Sequence, residues 1–178
     1  MKTTSYSNTS ANLAKTFTKG LEALLEGIHL LTTNTTTQMI NTASTGTSTT
    51  PTSCYSRITE RFTQADTHFA ALLLSSKTEF HYDGTTLARF FRELLVSQHV
   101  PYGFALLVYE DDKANQVDYD QAYEMYQAYA LSIAHLKDIL DKIISDKIEV
   151  KWLPGTEIPK DKLPNLSIPQ PLNHKYVT

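Results

Sequence analysis

Apolar residues at Tyr119, Ala122, Tyr126, Tyr129, Ile133, Leu136, Leu140 and Ile143 follow one another at alternating spacings of three and four. Such a pattern is a single stripe down a helix. It predicts a helix over Tyr119–Ile144, ending near Asp146. A stripe this regular needs a partner helix to cover it. Leu13, Phe17, Leu21, Leu24, Ile28 and Leu31 form a second stripe, with Ser10 as a candidate N-cap. Thr35 and Met39 continue it, so this helix is expected to reach about Thr42. Gly20 and Gly27 weaken it, each by about 1 kcal/mol relative to Ala. Tyr55, Ile58, Phe62, Ala65, Phe69 and Leu72 make a third stripe, on a helix starting near Ser53. After an Asp83-Gly84 turn or cap, a shorter helix carries Leu87, Phe90, Phe91, Leu94 and Leu95 on one side. Val100-Pro101 interrupts it, because a residue before proline is pushed out of the α region.

Between the stripes the pattern changes. Residues 76–83 alternate weakly, and Lys147–Trp152 alternates cleanly with Ile148, Val150 and Trp152 on one side; both read as short strands. Phe104–Tyr109 is apolar without a period and reads as a strand or as a short helix starting at Pro101. If it is a strand, it is expected to pair with Lys147–Trp152 at one end of the bundle. Ser44–Ser53, with Gly46 and Pro51, reads as a loop within a segment, 32–53, of which half is threonine. The expected fold is mainly α: a four-helix bundle with up to three short β segments and an extended Pro-rich C-terminal arm. Residues 1–10 are expected to be a flexible N-terminus, 11–152 the bundle domain and 153–178 the arm.

The arm repeats an aliphatic residue before proline every five positions: Leu153-Pro154, Ile158-Pro159, Leu163-Pro164, Ile168-Pro169. Proline fixes its own φ and keeps the preceding residue extended. The aliphatic residues of an extended arm must find another surface, either their own bundle or a second copy. Leu153, Ile158, Leu163 and Ile168, with Tyr123 from the Tyr119–Tyr129 cluster, are therefore candidate assembly contacts. Tyr residues at helical spacing suit half-buried positions, and their neighbours Asp118, Asp120 and Glu124 would repel a phosphate backbone.

Net charge is −3. Residues 1–109 hold 8 Lys+Arg against 7 Asp+Glu, and 110–178 hold 8 against 12, so +1 and −4. All the arginines lie in the first part. Arg57, Arg61, Gln64 and His68 line one side of their helix, with Arg89 and Arg92 on the next, and these six are the candidate contact for a polyanion such as nucleic acid. The competing reading is that Glu60, Asp66, Glu93 or the acidic 110–112 loop neutralises them. The lone Cys54 excludes an internal disulfide and multi-cysteine zinc sites. Glu26-Gly-Ile-His29 has the spacing of a di-iron motif but occurs once, opposite the apolar stripe. No nucleophile elbow and no phosphate-cradling glycine loop is present. These readings predict no enzyme, no cofactor, no metal and no evident small-molecule substrate. Met1–Ser10 lacks the apolar core of a Sec signal peptide, and no apolar run is long enough for a membrane span. A cytoplasmic or virion-like location is the expectation, and the Asn-x-Ser/Thr triplets at Asn8, Asn34 and Asn165 then carry no glycan.

In size, single cysteine, threonine richness and mild acidity, the chain resembles small helical-bundle coat proteins of rod-shaped and filamentous viruses. The resemblance is one of composition and covers no motif. It implies a non-enzymatic, self-assembling subunit, coat- or filament-like, with homo-oligomeric contacts through its tails. The alternative is a soluble effector or adaptor that binds a different protein through 119–144 or the arm.

Overall fold

The computed structural model describes the backbone of residues 2–45, 52–75 and 79–173, and the side chains of 12–33, 55–75 and 79–173. Five α-helices and two strands lie in this part of the chain: α1 (Lys2–Thr45), α2 (Thr52–Leu74), β1 (Glu79–Tyr82), α3 (Gly84–Ser97), α4 (Val100–Glu110), α5 (Gln116–Ile144) and β2 (Glu149–Trp152). The three stripes are buried as the spacing predicts. Every residue of the Leu13–Leu31, Tyr55–Leu72 and Tyr119–Ile143 sets is in the core. On α5 the buried surface is wider than one stripe, because Met125, Ser132 and Ile139 form a second fully buried row. The Ser132 hydroxyl is satisfied by donating to the Tyr129 carbonyl at 2.6 Å.

Cross-helix contacts fix the topology. Gly27 faces Phe62 and Gly20 faces Phe69, so α1 and α2 are antiparallel. Phe62 meets Tyr129 and Asp66 meets His135, so α2 and α5 run parallel. Tyr102 meets Tyr126 and Tyr109 meets Tyr119, which sets α4 antiparallel to α5. α3 and α4 form one broken fourth member of the bundle. α3 ends at Ser97, and Pro101 sits in the first turn of α4, where its missing N–H is no loss. The helices therefore run up, down, up and down, with α1 and α5 on one diagonal.

The caps are legible in the chain. Asp83 accepts from the Thr85 amide at 3.0 Å at the start of α3, and Asn115 accepts from the Asp118 amide at 2.7 Å at the start of α5. α5 ends in a Schellman motif. The Lys147 amide reaches the Lys142 carbonyl at 2.8 Å, the Asp146 amide reaches that of Ile143 at 3.2 Å, and Asp146 sits at φ 62.

β1 and β2 form a parallel pair, Glu79 opposite Glu149 through Tyr82 opposite Trp152. β1 lies in the link from α2 to α3, and β2 follows α5. Phe80 and Tyr82 pack their rings against Phe17 of α1, at 6.0 and 5.3 Å between centroids. The strand partner of Lys147–Trp152 is thus 79–82, not Phe104–Tyr109. The latter is helical within α4, the alternative that began at Pro101. α1 extends to Lys2 through the segment read as an N-terminal tail, and onward to Thr45. Leu95, assigned to the buried side of α3, is 44% exposed. The side chains of Thr35, Met39 and Cys54, the Gly46–Pro51 part of the predicted loop, and residues 174–178 lie outside the described residues.

The arm lies along its own bundle. Lys160 contacts Asp146 at 2.5 Å, Lys137 donates to Asn165 at 3.2 Å, and the Tyr119 hydroxyl donates to the Asn173 carbonyl at 2.5 Å. Rising positions in the arm meet falling positions in α5, so the arm runs antiparallel to that helix. Its root is fixed at α3. The Gly84 amide donates to Thr156 Oγ1 at 3.1 Å, and a Cβ at Gly84 would lie 1.7 Å from the Thr156 carbonyl oxygen. Only glycine lets the two backbones approach this closely.

Candidate functional site

The six residues proposed to meet a polyanion do not form one surface. Arg61 on α2 donates from Nε to Glu26 of α1 at 3.0 Å and from a terminal nitrogen to Gln64 at 3.0 Å. Gln64 in turn donates to Glu60 at 3.4 Å. Arg61 is therefore engaged by a carboxylate from the neighbouring helix, which the sequence readings of Glu60 and Asp66 did not include. Arg57 is exposed, and no described residue pairs with it. His68 is half-buried on the same helix. Arg89 and Arg92 are exposed on α3. Arg89 lies over the Phe90 ring, 5.6 Å from its centroid. Arg92 lines a groove against Leu25, Ile28, His29 and Thr32 of α1. α1, with Glu26 on its α2 side, thus stands between the arginines of α2 and those of α3.

The assembly candidates divide as well. Leu163 is buried against its own chain, as is Leu166, which the five-residue pattern did not include. Ile158 is half-buried and packs on the same core. Leu153 and Ile168 remain outside, at 44% and 67% exposure. Tyr123 is half-buried and stacks on Tyr119, with centroids 6.4 Å apart.

An apolar surface that the sequence reading left unassigned appears on α4. Val100–Tyr109 contains no charged side chain, yet only Pro101 and Ala105 of this helix are fully buried. Leu107 is 64% exposed, and a Cβ at Gly103 would meet nothing. The signal was present in the sequence as the absence of polar positions. A helix that is apolar all round is normally covered on all sides.

His135 Nδ1 and Asp66 make a short contact that ties α5 to α2. On α5, burial pushes the phenol of Tyr126 up to about 12, and burial raises that of Tyr129 further. Burial also raises Tyr82, whose hydroxyl shares a 2.7 Å hydrogen bond with Thr18. Among the described residues no group of three or more His, Cys, Asp or Glu is placed to hold a metal ion. No described helix is long and apolar enough to cross a membrane. No protein-family model, curated protein or solved structure matches the chain.

Proposed function

We propose that this chain is a non-enzymatic structural subunit that assembles with copies of itself. The observation that carries this reading is α4, a helix without a charged side chain from Val100 to Tyr109 that lies on the surface with Leu107 and Gly103 facing out. Burying its outer face against a neighbour removes apolar area from water at about 25 cal/mol per Å². Soluble oligomers are most often made of identical chains. Leu153 and Ile168, exposed on the arm, are apolar positions separate from α4 that a neighbour could also cover. An arginine set divided by α1, with Arg61 engaged by Glu26, gives nucleic acid no continuous track in one subunit.

The test is light scattering on the full chain beside Leu107→Lys. The wild type is expected to grow in mass with concentration, and the variant to remain a folded monomer. Equal masses for the two would remove α4 from the contact. A different protein bound through α4 by a chain that is itself monomeric would favour the adaptor reading instead.

A further inference from the structure

A groove of about 450 Å³ opens between α1 and α3. Its size is in the range that takes small molecules. The floor is apolar, formed by Ile28, which is buried, and Leu25, which is half-buried. Val96 on α3 stands over it, 73% exposed, so the wall is apolar and unfilled. The rim is polar. Arg92 and Glu93 come from α3, and His29 and Thr32 from α1.

The charges on that rim select a ligand. Arg92 forms no ion pair with any described residue. Its guanidinium offers a planar fork that matches a carboxylate. The His29 ring adds a second N–H donor on the facing helix. Glu93, next to Arg92, offsets its charge, so the rim has no excess positive charge to hold a multiply charged group and only the Arg92 fork to bind one carboxylate. The combination of an apolar floor, one arginine without an ion pair among the described residues and one carboxylate suits a single negative charge on an apolar body. It does not suit a polyphosphate. The Thr32 hydroxyl is already used, donating to the Ile28 carbonyl at 3.0 Å.

We propose that the α1–α3 groove binds a monoanionic amphiphile, a carboxylate on an alkyl chain, with its head at Arg92 and its body over Leu25 and Ile28. This site is independent of the α4 surface.

Decanoate is the probe, titrated into the 15N-labelled full chain and followed by amide chemical shifts. Saturable shifts are expected at 25–32 and 92–97. Arg92→Gln should weaken binding about tenfold, the loss typical of one charge-assisted hydrogen bond. Val96→Trp should close the groove and abolish binding; both positions are exposed, and circular dichroism checks that each variant is folded. Decanol should bind more weakly than decanoate. Absence of saturable shifts, shifts centred on α4, or an affinity unchanged by Arg92→Gln would overturn the proposal. So would displacement of decanoate by inorganic polyphosphate, which would assign Arg92 to a polyanion.

Discussion

Tyr126 and Tyr129 stand one turn apart on α5 in opposite polar circumstances. The Tyr129 hydroxyl donates to the Gln98 carbonyl at 2.7 Å, holding the α3–α4 break against α5. The Tyr126 hydroxyl is buried and meets only the backbone of Gln170 in the arm, in a contact weaker than the bond Tyr129 makes. Tyr129→Phe removes a bond and leaves a carbonyl unmet, so it should lower stability by about 1–2 kcal/mol. Tyr126→Phe removes only the weak Gln170 contact and should leave stability within about 1 kcal/mol of wild type, a smaller loss than Tyr129→Phe, read by urea unfolding. The same burial makes stability pH-dependent. In the unfolded chain these phenols ionise near 10, and in the folded chain Tyr126 ionises near 12. The folded state therefore holds its protons more tightly. This contribution is fully present below about pH 10 and declines as pH rises toward about 12, with a shallower decline in Tyr126→Phe. Core positions separate as cleanly. Leu136 is fully buried and Leu131 is 52% exposed on the same helix. Leu136→Ala should lower stability by about 2–5 kcal/mol, and Leu131→Ala by well under 1. Equal losses would contradict the orientation of α5.

At the scale of elements, the α1–α2 pair explains two residues that weakened the helix reading. Gly20 and Gly27 leave notches on α1 that receive the rings of Phe69 and Phe62; a Cβ would lie 2.5 and 2.6 Å from those rings. Both phenylalanines are fully buried and have little room to move. Gly27→Ala gains about 1 kcal/mol of helix propensity. It should still give a net loss of about 1–2 kcal/mol, because overpacking a filled core outweighs that gain. A stabilised Gly27→Ala protein would show that the notch is not filled. This is also where the sequence stopped being readable. Stripes at three and four name the buried face of each helix, and all three long stripes are buried as expected. They carry no information about which helix fills which notch. The same limit applies to the strands. Each is four residues long, and the partner of β2 comes from a distant link, so local alternation finds the strand but not its mate. α4 was ambiguous because a short run of apolar residues has no period to read. Asp146 is the left-handed residue that ends α5, a position where glycine is the usual signal, so only the approximate end of the helix was visible.

For the whole molecule, the arm and α4 present different apolar surfaces, Leu153 and Ile168 exposed on one and Leu107 on the other. The arm closes over its own α5 and buries Leu163 and Leu166, so its regular five-residue pattern marks a strap more than a projecting tail. Proline spacing showed that the segment is extended. It could not show which surface receives it, because an extended chain can lie on its own bundle or on a copy equally well. α4 has no such cover among the described residues. The candidate site was therefore legible only in part: the arginines were visible as residues, but the α1 carboxylate that engages one of them and the helix that separates the rest were not. Assembly of identical subunits through α4 can be read from sedimentation velocity of the 178-residue chain over a wide concentration series. The weight-average sedimentation coefficient is expected to rise with concentration and to be held at the monomer value by Leu107→Lys. A wild-type chain that sediments as a single monomeric species at every concentration would contradict it.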